Sequence, residues 1–497
     1  MRSERPSRRW HERPLTVLAL LALWLVATLG VRPLMMPDEG RYGDVARQML
    51  AGDAWVPRLG GLPFFHKPPL FYWIDALALR LTGVEAAGAR AGALLGAWLM
   101  GASLYLFARR RWGTRRATLA LLVLATSPLY FVSAQYANHD MLVAGCIGAA
   151  LLAFLRALES DDRVSLRWLV LAWVACGAGM LAKGLIGFVL PALVLGPWLL
   201  ATGRWRRILS LLHPLAVAAG VAVAAPWFVA MQSRFPGFFD YLFMEQHVRR
   251  FAAAGFNNVQ PWWFFVLLLP LLTLPWSLGL PGTWRVARLR PPWPWLWWVL
   301  SIVLFFSLPR SKLVGYVLPV LPAWSLLLAR GLQDLPPRRL GWMLLVAVLA
   351  CLGSVEGLAR HTPTAARDLG RALGNRLGSA DQVVLVDAPL HDLSFYADLQ
   401  KPAIVLSDWD SPKAREADGW RKELSDAARF DPAAGARLLR PLSADPGLPC
   451  GTGSLWFVVP AARQVWIAAR PQAQAVMERP GLALWREPMQ TCAAPAR

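Results

Sequence analysis

Met36-Pro37-Asp38-Glu39-Gly40-Arg41-Tyr42 sets two carboxylates and a guanidinium within four positions, and Phe64-Phe65-His66-Lys67-Pro68-Pro69-Leu70-Phe71-Tyr72-Trp73 adds an imidazole and an ammonium later in the same stretch. Both stretches follow an apolar segment, Leu15–Val31, and charge beside a membrane span is costly unless it binds or reacts. Asp38 or Glu39 could take the proton from an attacking hydroxyl; a phosphate nucleophile would arrive ionised and need only positioning. Further polar residues recur between later apolar runs: Asp140 in Asn138-His139-Asp140, Lys183-Gly184, His247 with Arg249-Arg250-Phe251, and Ser311-Lys312-Leu313 ahead of Tyr316. Arg41, Lys67, Arg250 and Lys312 are then cations at a membrane border, the depth at which a lipid phosphate sits.

The elements that must position these groups follow from composition. The 497 residues are 56% hydrophobic and 17% charged, with mean hydropathy +0.39, too apolar for an ordinary soluble enzyme. Apolar runs recur at Leu15–Val31, Ala91–Ala108, Ala117–Ala137, Met141–Leu155, Trp168–Ala182, Gly184–Gly203, Ile208–Ser233, Pro261–Trp284, Pro291–Pro309, Leu313–Ala329 and Leu340–Val355. With about 20 residues needed to cross the hydrocarbon, they predict a polytopic α-helical membrane protein of about 11 transmembrane helices.

The net charge of +21 does not mark a nucleic-acid binder, because the arginines cluster in alternate loops: Arg2 to Arg13, Arg109 to Arg116, Arg156 to Arg167, Arg204 to Arg207, Arg285 to Arg290 and Arg330 to Arg339. The positive-inside rule makes these cytoplasmic, with the N-terminus, and turns every other polar concentration outward. Ser7-Arg8-Arg9 superficially resembles a twin-arginine signal, but the apolar run after it is long and leads into further spans. Residues 1–357 are thus expected to form a transmembrane domain with an outward loop at 33–83. In that loop Asp38 is placed at a helix N-cap, and Pro68-Pro69 opens a second short helix.

Residues 358–497 read as a small outward-facing C-terminal α/β domain, with buried strands at Asp381–Asp387, Ala403–Ser407 and Leu455–Val459 and helix at Pro412–Ala427. Cys450 and Cys492 fall in this outward tail, where an oxidising compartment allows a disulfide. No fixed-period repeat is visible.

Taken in order, Asp38-Glu39-x-Arg41-Tyr42, Phe65-x-Lys67-Pro68-Pro69-Leu70-x-Tyr72-Trp73, Asp140-Met141, Lys183-Gly184, His247 before Arg250-Phe251, and Ser311-Lys312-Leu313 ahead of Tyr316 and Pro319 resemble the lipid A aminoarabinose transferases and their protein mannosyltransferase-like relatives. The resemblance runs collinearly over residues 15–357. It implies a GT-C glycosyltransferase of a bacterial inner membrane, with active site and C-terminal domain periplasmic. Such an enzyme moves a sugar, 4-amino-4-deoxy-L-arabinose in the named family, from a polyprenyl phosphate to lipid A or another envelope lipid, glycan or protein, with inversion. It also implies roles: Asp38 as the preferred catalytic carboxylate, Asp140 as a second acidic wall residue contacting sugar or acceptor, and Tyr316 near the donor phosphate. As the glycosidic bond breaks the phosphate gains charge, which Arg41, Lys67, Arg250 and Lys312 would stabilise.

One position departs: the named family usually has Glu where this chain has His66. In those relatives that Glu and the histidine matched by His247 can share a divalent metal. A His66/His247 pair offers nitrogen ligands suited to zinc, two where three or four are usual; no other cofactor is implied. Against these readings stand plainer ones: Asp38 and Asp140 as helix caps, the cations as headgroup anchors and Lys183 as a snorkelling side chain, and the tryptophans as interfacial belts. The competing function is a transporter or flippase for a lipid-linked sugar. That would place polar groups at the bilayer midplane on broken helices, often in repeated halves; here they gather at one interface.

Overall fold

The structure, a computed structural model, describes residues 13–159, 164–249, 258–289, 293–388, 390–411, 419–443 and 446–492, with backbone alone at 246–249, 286 and 289. The chain divides into two compact units. One comprises Met1–Val31, Arg90–Ser233 and Asn258–Arg360; the other Arg32–Ala89, Arg234–Asn257 and His361–Arg497. The sequence grouped the loop at 33–83 with the spans. Its residues instead bury themselves against the C-terminal segment: Leu34 N–H donates to the Tyr396 hydroxyl (2.8 Å), and Arg47, 4% exposed, donates to the Leu399 carbonyl.

In the first unit every one of the apolar runs falls on a helix or bent helix pair. Among the described residues six helices are long and apolar enough to cross a membrane: Gly88–Trp112, His139–Ala157, Leu166–Lys183, Pro214–Arg234, Val314–Leu332 and Pro337–His361. Two runs are broken pairs, Thr114–Ala125 with Pro128–Ala134 bent by 67°, and Phe264–Leu271 with Trp276–Arg285 bent by 98°. Pro14–Val26, Ile186–Ala201 and Trp293–Ser307 are shorter.

The breaks occur at Ser127-Pro128 and Leu274-Pro275, where proline withholds an amide donor and disfavours helix before it. Freed polar groups are unaffordable in an apolar setting unless re-paired, and here the two breaks satisfy each other. Trp276 Nε1 donates to Thr126 Oγ1 (2.9 Å) and Leu129 N–H to the Leu272 carbonyl (3.0 Å), while Trp324 Nε1, from the neighbouring helix Leu321–Leu332, donates to Thr273 Oγ1 (3.0 Å). Helices Ala91–Trp112 and His139–Ala157 touch backbone to backbone at Gly96 and Gly145, where a Cβ on either would strike the other's main chain.

In the second unit the loop forms helix Asp38–Ala51, a short hairpin of β1 (Arg58–Leu59) and β2 (Leu62–Pro63), and helix Leu70–Thr82. The helix Asp38–Ala51 is polar yet mostly buried. It can be so because its ions pair: Arg47 donates from Nε and Nη2 to Asp44 Oδ1 at 2.9 and 2.8 Å.

The C-terminal segment is α/β. Strands β3 (Gln382–Val386), β4 (Ile404–Ser407), β5 (Leu439–Pro441), β6 (Ser454–Pro460), β7 (Gln474–Arg479) and β8 (Leu482–Pro488) form one sheet in the order β5-β4-β3-β6-β8-β7. The first four are parallel, and β8 and β7 add antiparallel. The near-continuous apolar runs of β3, β4 and β6 are those of strands covered on both faces, and Val384, Val386, Leu406, Phe457 and Val459 make their core. Cys450 and Cys492 are disulfide-bonded. Of the helix expected at Pro412–Ala427, residues 412–418 lie outside the described residues and Trp420–Ala428 is helical.

Candidate active site

The sequence-predicted residues fall into two clusters, one in each unit. In the second unit Asp38 opens the helix Asp38–Ala51. The residue at the cap position is Pro37, and no side chain caps the helix, so Asp38 is not spent on capping. Its Oδ1 accepts from Arg41 Nη2 at 2.5 Å, one helical turn on. Arg41 Nη1 donates to Glu423 Oε1, and the guanidinium carbon lies 4.9 Å from the Tyr42 ring centroid. His66 stacks on Phe64 (centroids 4.5 Å), faces Tyr241 (5.9 Å), and brings Nδ1 to 3.9 Å from the same Glu423 oxygen. Asp38 remains the more accessible carboxylate, its side chain 25% exposed against 13% for Glu423. The arrangement is an oriented carboxylate beside a cation that two acids hold in place.

In the first unit Asp140 lies in the first turn of His139–Ala157. The cap there is Asn138, whose side chain accepts from the Asp140 N–H (3.0 Å), so this carboxylate too is not a cap. It pairs with Lys183, the last residue of Leu166–Lys183. The Lys183 Nζ lies 4.8 Å from the Tyr316 ring centroid, and Gly315 leaves the room Asp140 occupies, since a Cβ there would collide with its carboxylate. Lys183 is therefore an ion-pair partner, not a snorkelling side chain.

Other expectations are placed differently. Glu39, weighed beside Asp38 as a base, is fully buried: Arg32 donates to both its oxygens, and the Met35 N–H donates to Oε2 (2.9 Å). It anchors the chain entering the helix and presents nothing to a substrate. Lys312 is 4% exposed, and its Nζ donates to the carbonyls of Gln260 (2.9 Å) and Pro309 (2.5 Å). It thereby clamps two chain segments that Val259 and Ser311 also bridge, so its ammonium serves backbone in this structure. Lys67 Nζ donates to the His66 carbonyl at 3.0 Å. Arg250 and the His247 side chain lie outside the described residues. Glu423 was missed, because the helix Trp420–Ala428 that carries it shows no motif and the residue stands 382 positions from Arg41.

Electrostatics around the helix Asp38–Ala51 are strongly perturbed. Burial works to lower the Arg41 pKa, but Tyr42, Glu423 and Asp38 together hold it well above the ordinary value. His391 is lowered by burial, partly opposed by Asp44 and Glu423. Asp392, 6% exposed, is pushed up to about 6, mainly by burial and further by the charge of Asp44, against the Leu393 N–H that favours its ionised form.

A carboxyl whose folded pKa lies above its unfolded value binds its proton more tightly in the native state. Its stabilising proton is fully present below about pH 4 and is lost as pH rises through about 6. The shift of roughly two units is worth about 3 kcal/mol. Asp392→Asn is therefore expected to raise the melting temperature in detergent at pH 7.5 and to flatten its fall between pH 4.5 and 7.5. Parallel pH profiles for variant and wild type would refute the assignment.

For a metal the donors are few. Among the described residues no group of three or more His, Cys, Asp or Glu could hold one, and the carboxylate beside His66 already accepts from Arg41. These described donors do not fit a divalent cation.

A sequence family described as dolichyl-phosphate-mannose-protein mannosyltransferase matches residues 66–229. The undecaprenyl phosphate-alpha-4-amino-4-deoxy-L-arabinose arabinosyl transferase of Pseudomonas paraeruginosa is 36% identical over 324 residues, 64% of this chain and 59% of the relative. The chain thus matches about three-fifths of the length of such curated relatives. The crystal structure of ArnT from Cupriavidus metallidurans bound to undecaprenyl phosphate superposes with a TM-score of 0.82 at 25% identity, over 95% of this chain and 97% of that one. An oligosaccharyltransferase, AglB of Archaeoglobus fulgidus, shares the fold more loosely, with a TM-score of 0.51 at 15% identity over 92% and 70%. This chain is a multi-pass membrane protein of GT-C fold, and the resemblance to the lipid A aminoarabinose transferases read from its motifs is carried by family, relatives and structure alike.

Proposed function

We propose that the protein is an inverting glycosyltransferase that moves a sugar from a polyprenyl phosphate to an acceptor in the bacterial envelope. The observation that carries this reading is the match along 95% of the chain to a structure holding undecaprenyl phosphate. The oriented Asp38 carboxylate, spent neither on capping nor on burial, supports it.

In the proposed reaction an acceptor hydroxyl attacks the anomeric carbon, its O–H proton passes to Asp38, and the bond from that carbon to the phosphate oxygen breaks. Polyprenyl phosphate leaves with the bonding pair. Lys67 and Arg250 meet the charge growing on it, with Tyr316 beside the donor. Asp140, held by Lys183, contacts sugar or acceptor. In this reading all the apolar runs cross an inner membrane, the N-terminus is cytoplasmic, and the site and C-terminal segment face the periplasm. Aminoarabinose is the proposed sugar and lipid A the proposed acceptor, following the relatives' names.

The test incubates purified protein with undecaprenyl-phosphate aminoarabinose and lipid A, then follows the mass added to the acceptor. Transfer is expected. Transbilayer movement of the donor without any glycosidic product would overturn the reading in favour of a flippase. The zinc site of His66 and His247 is kept as a separate proposal that needs ligands beyond the described ones, and no step above passes through it. Zinc content of the purified protein decides it: stoichiometric metal lost in His66→Ala and His247→Ala supports the site, and none in the wild type ends it.

A further inference from the structure

We propose that the ends of four helices, two of them contributing an arginine and two a tryptophan, form a binding site for an anionic phospholipid, separate from the donor's. Trp112 ends the helix Ala91–Trp112, and Arg116 lies in the first turn of Thr114–Ala125. Trp295 lies in the first turn of Trp293–Ser307, and Arg330 in the last turns of Leu321–Leu332. Together they line a cavity of about 380 Å³ within the first unit. Neither guanidinium belongs to the motifs that carry the family resemblance.

The cavity is layered by polarity. Leu326 and Leu327, 8% and 2% exposed, form an apolar floor, while Arg116 is exposed and Arg330 half-buried. The Trp112 and Trp295 rings, which line the same cavity, stand 5.8 Å apart in edge-on contact. Indoles with one apolar and one polar edge settle at headgroup depth. Guanidiniums beside them recognise a phosphodiester through paired N–H donors.

A soluble anion would gain nothing from the apolar floor. A zwitterionic lipid would bring its ammonium against two guanidiniums. A glycerophospholipid with a net negative headgroup meets both layers, the phosphate at the arginines and the start of an acyl chain on the leucines.

Native mass spectrometry of the full chain, titrated in detergent with phosphatidylglycerol or phosphatidylcholine, tests this. Wild type is expected to retain one phosphatidylglycerol with about tenfold preference. Arg116→Gln/Arg330→Gln should lose that preference, while Arg204→Gln/Arg206→Gln, on another exposed arginine cluster, should keep it. Leu326→Trp fills the floor without touching either guanidinium and should also lower occupancy, which covers the case in which the double variant does not fold. The proposal is overturned by equal binding of the two lipids to wild type, by an equal loss in the control pair, or by displacement of phosphatidylglycerol by undecaprenyl phosphate. The last outcome would make the cavity a donor site.

Discussion

Glu39→Ala is expected to cost about 3–5 kcal/mol of stability, a large part of what a domain of this kind has. The carboxylate is 0% exposed and its partner Arg32 is 1% exposed. Removing the acid leaves a guanidinium buried without its counter-charge, and the Met35 N–H loses its acceptor as well. Arg32→Ala should fall equally far for the mirror reason. The double variant Arg32→Met/Glu39→Leu should recover most of the loss, because a well-packed apolar pair replaces a buried ion pair at little net cost. Fluorescence-detected size exclusion and melting temperature in detergent read all three. If Glu39→Ala instead melts with wild type and only transfer is lost, Glu39 is catalytic and the anchoring role is wrong.

The same residue shows where sequence reading stops. Asp38 and Glu39 are neighbours of one chemical kind, and nothing in their order tells which faces outward. On a helix they point about 100° apart, so one turns into the packing and the other stays accessible. Arg32, which fixes the choice, reads in sequence as one more basic residue.

The membrane helices were legible because each apolar run is its own signal, independent of partners. Their breaks were not. Thr126 and Trp276 look ordinary until the hydrogen bond between their side chains, beside the backbone bond from Leu129 N–H to the Leu272 carbonyl, shows that the two kinked spans are joined at their breaks. In the sheet, β3, β4 and β6 were legible as apolar runs buried on both faces. The edge strand β7 is almost wholly exposed, and β5 has three residues, so neither carries a pattern to read. Lys183 and Glu423 needed the fold itself, since each acts on a residue far away in the chain.

Asp38→Asn should lower kcat roughly 10²–10⁴-fold, the range of general-base catalysis, with donor KM changed by less than about threefold. The amide keeps the shape and one acceptor oxygen for Arg41, while Glu423 still holds the other side of the guanidinium. The fold and the cation therefore stay in place and only the capacity to accept a proton is lost. Glu423→Gln makes the opposite cut: it weakens the clamp on Arg41 and leaves the base. If Asp38 acts as the base, Glu423→Gln retains most of kcat while Asp38→Asn does not. If the two variants lose kcat alike, Asp38 matters as a holder of Arg41, and the guanidinium itself meets the substrate. If Asp38→Asn keeps kcat within about threefold, no proton is taken at this position, as an acceptor that arrives ionised would require. Steady-state transfer rates for the two variants at saturating donor, beside their melting temperatures, separate the three outcomes.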